Sequence, residues 1–440
     1  MKKIYALFLT LSLIASACTK DEVIPEYETV EIAVQLLYPA TSGFEATEGV
    51  AVSARATSGV SYKSATDATG KATFSLPVGI YEVTATDKRS ASGKSVVFSG
   101  AKSNQAIAAA NNTPIELTMI ESVRSQIVIK ELYNGGCQKD DGSGSYHFDK
   151  YVVLYNNSEE EAELQNLCLA MVLPYNSTVA NADIQNGSLF YEAEGWIPAG
   201  LGYFYFPNQT KLNPGEQIVV AFNNANDNTQ TYSNSVDLGK PEYYVTYEPE
   251  VFNNTSYHPA PSANIPTSHY LPGFKYGTGN AWAFSNTSPA FFLFAPENTT
   301  PSDFAADASN ISLYNGSATQ VRKKVPVEWV IDGVEVFKQG ASNNVKRFTP
   351  AVDAGAVQLN GTFGYTLYRN VDKDATEALT QNTGKLVYNY SLGTTSQNGT
   401  TDPSGIDAEA SIKLGALIIY ADTNNSGNDF HQRGRASLKD

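Results

Sequence analysis

Histidine and cysteine are scarce in this chain of 440 residues, and no second long apolar run follows the one at its N-terminus. The four histidines, at positions 147, 258, 269 and 431, stand singly, so the His-x-x-x-His pair of helical zinc proteases is absent. The Gly-x-Ser-x-Gly elbow of serine hydrolases is also missing; Gly142-Ser143-Gly144 lies in a polar stretch without that spacing. Since no nucleophile, base and orienting group form a recognisable constellation, we expect no enzymatic activity and assign no catalytic residue.

Positive charge is also in short supply. The chain has 30 Lys and Arg residues against 45 Asp and Glu residues, which gives a net charge of -15. Such a surface repels phosphate backbones and anionic lipids, so we expect no nucleic-acid partner. Hydrophobic residues make up 42% of the sequence, and this length predicts two or three globular domains.

The N-terminus has the pattern of an export signal. Lys2 and Lys3 precede an apolar stretch from Ile4 to Ala15, and small residues at 16 and 17 precede Cys18. The sequence therefore predicts a secretory signal peptide over residues 1–17. A membrane-spanning anchor is the alternative, but it needs about 20 apolar residues, more than this stretch contains.

The residues around Cys18 resemble the lipobox of bacterial lipoproteins, in which the cysteine is acylated. Ala15 departs from that motif, which usually has Leu three residues before the cysteine. The run Lys20-Asp21-Glu22 resembles the acidic export signal of surface lipoproteins of Bacteroidota; the alternative is a solvated acidic linker. The resemblance implies a lipid-anchored protein of the outer membrane that faces the cell exterior, with residues 18–28 as a tether.

Residues 29–119 consist of short alternating segments separated by Gly, Ser, Pro and Asn, which predicts strands and a small β-sandwich. Residues 66–86, with the Pro-x-Gly-x-Tyr pattern, resemble the carboxypeptidase-regulatory or transthyretin-like module. That resemblance implies turns with positive φ at Gly70 and Gly79 and a core capped by Tyr81. Such modules are usually spacers or stalks.

Residues 125–440 contain a second series of strand patterns. The order of IVIKEL, YVVLYNNS, AELQNLCLA and LNPGEQIVVA is similar to the lamin-tail immunoglobulin-like domain. That domain is much shorter, so the resemblance implies long loop insertions, and residues 223–280 read as ordered loops. Further strands are predicted within residues 290–296, 327–337, 363–371, 384–392 and 414–422.

The predicted fold class is therefore all-β, with a small N-terminal β-sandwich followed by a larger lamin-tail-like β-sandwich domain with long loop insertions. The whole arrangement, including the ending ADTNNSGNDFHQR, resembles an uncharacterised family of Bacteroidota surface lipoproteins known as a domain of unknown function. That resemblance implies no established activity.

Two features concern cross-links and metals. Cys137 and Cys168 form an even pair in an exported protein, which favours a disulfide; two buried thiols are the alternative. Residues 422–427 match the start of a calcium loop, but Arg433 stands where a bidentate Glu is required. We therefore expect an Asn-rich capped turn there, and no metal or cofactor.

The sequence leaves three functional hypotheses. We favour a binding or accessory lipoprotein at the outer membrane, with an unidentified ligand, and by analogy a TonB-dependent transporter as partner in nutrient capture. The first alternative is a structural or adhesive envelope protein. The second is an enzyme with an unrecognised site, which would require a cleft that gathers perturbed carboxylates.

Overall fold

The computed structural model describes residues 29–39, 42, 44–91, 94–108, 113–123, 125–360, 364–390 and 401–439. The predicted signal peptide at residues 1–17, the tether at 18–28 and the lipidation site Cys18 lie outside the described residues.

Among its described residues, the first region has eight strands: β1 (Thr29–Leu37), β2 (Ala51–Ala56), β3 (Ser61–Ala65), β4 (Lys71–Pro77), β5 (Gly79–Ala91), β6 (Lys94–Ile107), β7 (Ile115–Thr118) and β8 (Ile120–Val123). They form a three-stranded sheet in the order β4-β1-β7 and a five-stranded sheet in the order β3-β2-β5-β6-β8. Every second residue of β1 from Val30 to Leu36 is buried, because one face of the strand packs on the core.

Two glycines of this region have different roles. Gly70 has φ of +76° in the turn before β4, and a Cβ there would lie 2.3 Å from the Ala46 Cβ. Gly79 lacks the predicted positive φ; it begins β5, where a Cβ would lie 3.3 Å from the Tyr81 ring. Tyr81 is buried, and its hydroxyl donates to the Pro77 carbonyl at 2.8 Å. Gly79 therefore provides space for the tyrosine rather than a turn conformation.

The second region contains the remaining strands: β9 (Ile127–Tyr133), β10 (Cys137–Gln138), β11 (Ser145–Tyr146), β12 (Tyr151–Asn156), β13 (Ala162–Glu163), β14 (Cys168–Met171), β15 (Ile184–Gln185), β16 (Ser188–Leu189), β17 (Trp196–Gly200), β18 (Gly202–Tyr205), β19 (Lys211–Leu212), β20 (Gln217–Ala221), β21 (Tyr244–Thr246), β22 (Tyr270–Leu271), β23 (Gly273–Lys275), β24 (Ala290–Phe294), β25 (Ile311–Leu313), β26 (Val321–Pro326), β27 (Val330–Lys338), β28 (Val357–Leu359), β29 (Thr366–Arg369) and β30 (Phe430–Arg433). The described part of this region also has four short helices: α1 (Pro301–Ala306), α2 (Lys373–Ala378), α3 (Ala408–Lys413) and α4 (Ser426–Asp429).

Two large sheets face each other in this region. One has seven strands in the order β22-β21-β20-β12-β9-β29-β30, and the other has six in the order β23-β18-β14-β24-β27-β28. Leu132, Val152 and Val220 of the first sheet share a core with Phe291 and Leu293 of the second. The prediction of an all-β, sandwich-type fold is confirmed.

The outer faces of both large sheets are also covered. A three-stranded sheet in the order β17-β26-β25 packs on the six-stranded sheet, where Ile197 and Val325 meet Phe292. Loops cover the outer face of the seven-stranded sheet, where Tyr155 and Tyr368 belong to an apolar cluster with Ile418. The region is thus thicker than a two-layer sandwich.

Two of the predicted strands are not formed. Residues 384–390 have an isolated bridge at Tyr388, and residues 414–422 have one at Tyr420. The second segment is nevertheless extended, because side chains replace a neighbouring strand as hydrogen-bond partners. The amide of Asn382 bonds both the N–H and the carbonyl of Leu417, and the amide of Asn157 does the same for Tyr420.

The two regions contact each other through polar groups. Strand β8 lies beyond the boundary predicted at residue 119 but still belongs to a sheet of the first region. The Ser99 hydroxyl donates to the Thr423 carbonyl, and the Asn428 amide donates to the Thr86 hydroxyl at 3.0 Å. Residues of the loop 422–429 therefore contact the first region directly.

Candidate functional site

A β-bulge in β9 places two charged side chains on the same face of the seven-stranded sheet. The register with β12 shifts so that Ile129 pairs with Leu154 and Glu131 with Val153, which leaves Lys130 without an opposite residue. Because an extra residue interrupts the alternation, Lys130 and Glu131 both point outward. Both are fully buried, so the loops on the outer face must supply their partners.

Lys130 lies among oxygen atoms and aromatic rings. Its ammonium group is 2.8 Å from Glu409 Oε1 and donates to Gln217 Oε1 at 2.6 Å. Three tyrosine rings have centroids within 6 Å of the nitrogen: Tyr155, Tyr368 and Tyr420. The rings present their electron-rich faces to a cation and exclude water from it.

Glu409 belongs to the first turn of α3. Asp407 caps this helix by accepting a hydrogen bond from the Ala410 N–H at 3.0 Å. Glu409 Oε1 also accepts a hydrogen bond from the Tyr368 hydroxyl at 2.5 Å. Burial opposes ionisation of Glu409, but Lys130 and the Tyr368 hydroxyl outweigh it and lower the pKa of this carboxyl group. Glu409 is therefore a carboxylate at neutral pH.

Glu131 has a different environment. It accepts hydrogen bonds from the N–H and the hydroxyl of Ser437, and the charge of Arg433 acts on it. Burial raises the pKa of Glu131, although Arg433 and Ser437 oppose the shift. The Arg433 guanidinium stacks 4.4 Å above the centroid of the Tyr368 ring, which joins this group to the Lys130 cluster.

A shallow surface depression lies above these groups, and we call it the outer cleft. Its lining combines two tyrosine rings with carboxylates, an imidazole and a guanidinium: Tyr368, Tyr390, Asp402, Ile406, Asp407, Ala408, Glu409, His431 and Arg433. Pockets for drug-sized ligands measure about 300–1,000 Å³. The outer cleft encloses no such space, because its side chains leave no room between them for a water molecule.

A chain of hydrogen bonds runs along one wall of the outer cleft. The Tyr390 hydroxyl is 2.9 Å from His431 Nε2, and His431 Nδ1 is 2.7 Å from Asn370 Oδ1. Tyr390, His431 and Asn370 thus stand in the order of a nucleophile, a base and a group that orients the base. Burial, however, lowers the pKa of His431 to about 3 and raises the pKa of Tyr390. A weakly basic imidazole beside a weakly acidic phenol is poorly matched to proton abstraction near pH 7.

Comparison with known protein families gives a family for the part of the chain that carries most of this site. A model of a protein family of unknown function, DUF4876, matches residues 213–437, which is more than half of the chain and includes β29, β30 and α3. The chain belongs to the DUF4876 family. The bulged strand β9, with Lys130 and Glu131, lies outside the matched residues.

A solved relative shows the same fold. It is the crystal structure of a DUF4876 family protein from Bacteroides thetaiotaomicron VPI-5482. The similarity covers 91% of this chain and 94% of the relative, with 18% sequence identity and a TM-score of 0.50. No curated protein matches the chain. The resemblances to the transthyretin-like and lamin-tail modules, and the lipoprotein assignment, stay predictions.

The calcium-like loop of this DUF4876 protein surrounds an arginine. Arg369 Nη2 bonds to Asp332 Oδ2, and Arg369 Nη1 is 3.6 Å from Asp422 Oδ1 and 4.0 Å from Asp429 Oδ2. The predicted capped turn is present, since Asn425 accepts a hydrogen bond from the Gly427 N–H at 3.1 Å. The guanidinium therefore occupies the centre of the carboxylates.

Three carboxylates around one guanidinium leave excess negative charge in a buried place. Burial, together with the neighbouring charge of Asp332, raises the pKa of Asp422 to about 7, while Arg369 opposes the shift. Within the described residues, no group of three or more His, Cys, Asp or Glu side chains is arranged to hold a metal ion. In the same part of the chain, no helix has the length and apolarity needed to cross a membrane.

The predicted disulfide between Cys137 and Cys168 is wrong: both thiols are free and buried. Cys137 begins the two-stranded ribbon β10-β11, and its sulfur is 3.9 Å from Asp149 Oδ2. Cys168 lies on β14, in the middle of the six-stranded sheet, in the cluster formed with β17 and β26. The two cysteines thus belong to different layers. Burial is the main cause that raises the pKa of Cys137 to about 12.

Sequence reasoning missed the charged residues of the site. Of the four histidines, His431 alone lines the outer cleft; His258 accepts a hydrogen bond from the Trp282 N–H, and His269 stacks on Tyr244. One signal for the site was present: IVIKEL is an otherwise apolar strand with two adjacent charges, and charges in a buried strand require partners.

Proposed function

We propose that this protein is a non-catalytic, lipid-anchored protein of the outer cell surface that binds a ligand or partner through the outer cleft. The observation that carries the binding half is the lining of the cleft. Tyr390, Asp407 and Glu409 are partly exposed and offer an aromatic ring with a hydroxyl group and two carboxylates, above the buried Tyr368 and Arg433. Concave sites that combine aromatic area with a few convergent polar groups are typical of ligand recognition.

The size of the outer cleft indicates how binding would occur. It is a shallow depression that does not enclose a ligand, because its side chains leave no room between them for a water molecule. The ligand or partner would therefore lie across the depression and contact its partly exposed side chains and the surface around it.

The non-catalytic half of the proposal rests on the protonation states of His431 and Tyr390 in the cleft. The pKa of His431, lowered by burial to about 3, keeps this imidazole neutral and weakly basic, and burial holds the Tyr390 phenol in its neutral form. General bases work best with a pKa near the operating pH. A turnover that disappears when Glu409 or Asp407 alone is changed would overturn this half of the proposal and favour an enzyme.

The location rests on the N-terminal sequence. Three acyl chains on Cys18 would anchor the protein firmly, since each buried methylene contributes about 0.8 kcal/mol to membrane partition. Cys18→Ala should give a form that fractionates as soluble protein. Neutralising Lys20, Asp21 and Glu22 should keep the anchor but reduce cleavage of the body by a protease added to intact cells. A wild-type body that stays protected until the outer membrane is broken would contradict the surface location.

A TonB-dependent transporter is the partner that we propose, by analogy with lipoproteins that accompany such transporters. Affinity isolation from detergent-solubilised outer membranes should recover a β-barrel protein with this chain at near-native expression. Recovery of the chain alone would favour a structural or adhesive role.

One observation favours that structural role as the second candidate. The first region is fixed to the second through Ser99 and Thr86, with Ser125 donating from its N–H to Asp422 at 2.8 Å. Such contacts suit a stiff stalk. Cells without the protein would then lose adhesion or envelope integrity while their nutrient uptake stays unchanged.

A further inference from the structure

We propose that Lys130 and Gln217 become joined by an intramolecular amide bond, with Glu409 as the proton carrier. The three groups that this transamidation requires meet at one point: the Lys130 nitrogen lies 2.6 Å from Gln217 Oε1 and 2.8 Å from Glu409 Oε1. The nitrogen is the nucleophile, the carboxamide carbon one bond beyond Oε1 is the electrophile, and the carboxylate accepts and returns a proton.

Proximity lowers the activation barrier that an ordinary lysine and glutamine face in water. Amide exchange in water is slow because the partners must meet and the amine must lose its proton. Holding the two groups in contact makes the step unimolecular, which is worth up to several orders of magnitude in effective concentration. The bulge at Lys130 and the strand β20 that carries Gln217 are both parts of the seven-stranded sheet, so the geometry is fixed by the fold.

The surroundings of the nitrogen hold it away from water. The Lys130 side chain is 1% exposed, and the rings of Tyr155, Tyr368 and Tyr420 surround it. Glu409 is 20% exposed and accepts a second hydrogen bond from Tyr368, which holds its Oε1 atom in place. A proton that moves from the ammonium to this carboxylate at the moment of attack gives a neutral amine and a neutral carboxylic acid in contact with Gln217.

The reaction balances without an added reagent. Glu409 takes one proton from the Lys130 ammonium, and the amine forms a bond to Cδ of Gln217. Glu409 returns this proton to Nε2, the Cδ–Nε2 bond breaks, and Nε2 leaves as ammonia. The attacking nitrogen loses a second proton to Glu409, and this proton passes to the ammonia to give the ammonium ion. The sum is one ammonium and one carboxamide giving one secondary amide and one ammonium ion. Because Gln217 is exposed, the ammonia has a direct route to solvent.

A second buried lysine provides an internal comparison. Lys150 donates to the Asn286 side-chain oxygen and to the Phe284 carbonyl, and burial lowers its pKa to about 7. Among the described residues, no carboxylate contributes to that shift. Lys150 thus has an amine and a carboxamide in contact but lacks the proton carrier, and we expect no bond there.

The bond would connect strands that are not neighbours. The sheet order places β12 between β9 and β20, so the link passes over Tyr155 on the outer face. It would close a loop that contains β10 to β19 and restrict the unfolded chain, in the way that any cross-link between distant residues does. The amide bond would thus be a covalent cross-link in an exported protein whose buried cysteines form no disulfide.

Intact mass spectrometry and peptide mapping of the purified, full wild-type protein test the proposal. We expect a mass lower than that of the linear chain by one ammonia, and a branched tryptic peptide that joins the segment of Lys130 to the segment of Gln217. The peptides of Lys150 and Asn286 should be linear. Linear peptides at Lys130 and Gln217 would overturn the proposal and leave an ion pair, and so would an ammonia loss that maps elsewhere, such as to an Asn-Gly step.

Two variants identify the groups involved. Glu409→Gln keeps the size of the side chain but removes the proton carrier, and it should restore the full linear mass. Lys211→Met, at an exposed lysine paired with Glu161 at 2.6 Å, is the matched control and should keep the ammonia loss. A Glu409→Gln protein that still carries the branched peptide would contradict the role of Glu409. If this variant fails to fold, the wild-type peptide map decides the proposal alone.

Discussion

The two regions of the molecule differ in what they bury. In the first region, the buried polar side chains among the described residues are Thr66, Asp87 and Ser99, around an apolar core. The second region buries seven cationic side chains within its described part: Lys130, Lys150, Arg322, Lys323, Arg347, Arg369 and Arg433. The same chain thus contains one sandwich held by apolar packing and one that encloses many charges.

This difference indicates where the specific chemistry lies. A buried charge is costly unless it is paired and hydrogen-bonded, so each one fixes the position of its partners. In the second region, Lys130, Glu131 and Arg433 fix the walls of the outer cleft in this way. Under the proposed function, the first region is a spacer and the second carries the binding site.

The largest expected effect comes from breaking a buried ion pair of the second region. Arg347 donates to Glu335 Oε1 at 2.6 Å, and the other carboxylate oxygen accepts the N–H groups of Arg347 and Phe348. Arg347→Met should lower the free energy of unfolding by about 3–5 kcal/mol, because it leaves Glu335 charged and unpaired. Urea denaturation measures the change. A decrease in the free energy of unfolding below about 1 kcal/mol would mean that buried ion pairs contribute little to the stability of this region.

The matching change in the first region is an apolar truncation. Leu76 is fully buried, and Leu76→Ala should cost about 2–5 kcal/mol from lost burial and the cavity left behind. Because the two cores are separate, the tryptophan fluorescence of the second region should keep its native value when the first region melts. Simultaneous loss of both signals would show one cooperative unit and weaken the comparison.

Stability against pH should separate the regions further. Folded Asp422 keeps its proton up to a pKa of about 7, whereas the unfolded group releases it near 3.8. The folded state therefore binds more protons between these values, and stability falls as the pH rises, by at most about 1.4 kcal/mol per pH unit. Relative to Asp422→Asn, the wild type should lose stability from pH 4 to about 7. An unchanged difference would contradict the shift.

Loss of a contact between the two regions should have a smaller effect on the free energy of unfolding. Asn428 donates to the Thr86 hydroxyl at 3.0 Å from the loop that surrounds Arg369. Asn428→Ala removes this bond and should lower the free energy of unfolding by about 0.5–1.5 kcal/mol. A loss of several kcal/mol would mean that the spacer is an integral part of the second fold.

The smallest effect is expected on the surface. Lys211 and Glu161 form a pair at 2.6 Å in which both side chains are about half exposed. Lys211→Met should leave the denaturation midpoint unchanged, since water and salt screen such a pair. A clear shift of the midpoint would show that exposed pairs also count in this region.

Much of the fold could be predicted from sequence, because strands with one buried face alternate visibly. Val30, Ile32, Val34 and Leu36 are an example. Residues 414–422 were predicted as a strand for the same reason, but their hydrogen-bond partners are Asn382 and Asn157 side chains, which no local pattern reveals. Local sequence predicts an extended backbone better than it predicts the partner.

The site was harder to predict because its parts are far apart in the chain. Lys130 contacts Glu409 only because a bulge turns it outward and α3 packs above it. The disulfide prediction failed for a related reason. An even number of cysteines suggests a pair, but it does not show which layer of the fold each cysteine belongs to. Three-dimensional proximity between distant segments was the missing information in both cases.

The most direct test of the comparison is affinity isolation of a bound partner from outer membranes with three single variants. Tyr390→Ala removes a ring of the outer cleft, while Tyr388→Ala removes a neighbouring ring that lies outside its lining and is 45% exposed. Val78→Ser changes an exposed apolar side chain of the first region. We expect recovery of the partner to fall for Tyr390→Ala and to stay at the wild-type level for the other two. Loss of the partner with Val78→Ser, and its retention with Tyr390→Ala, would place the binding surface in the first region and contradict the account.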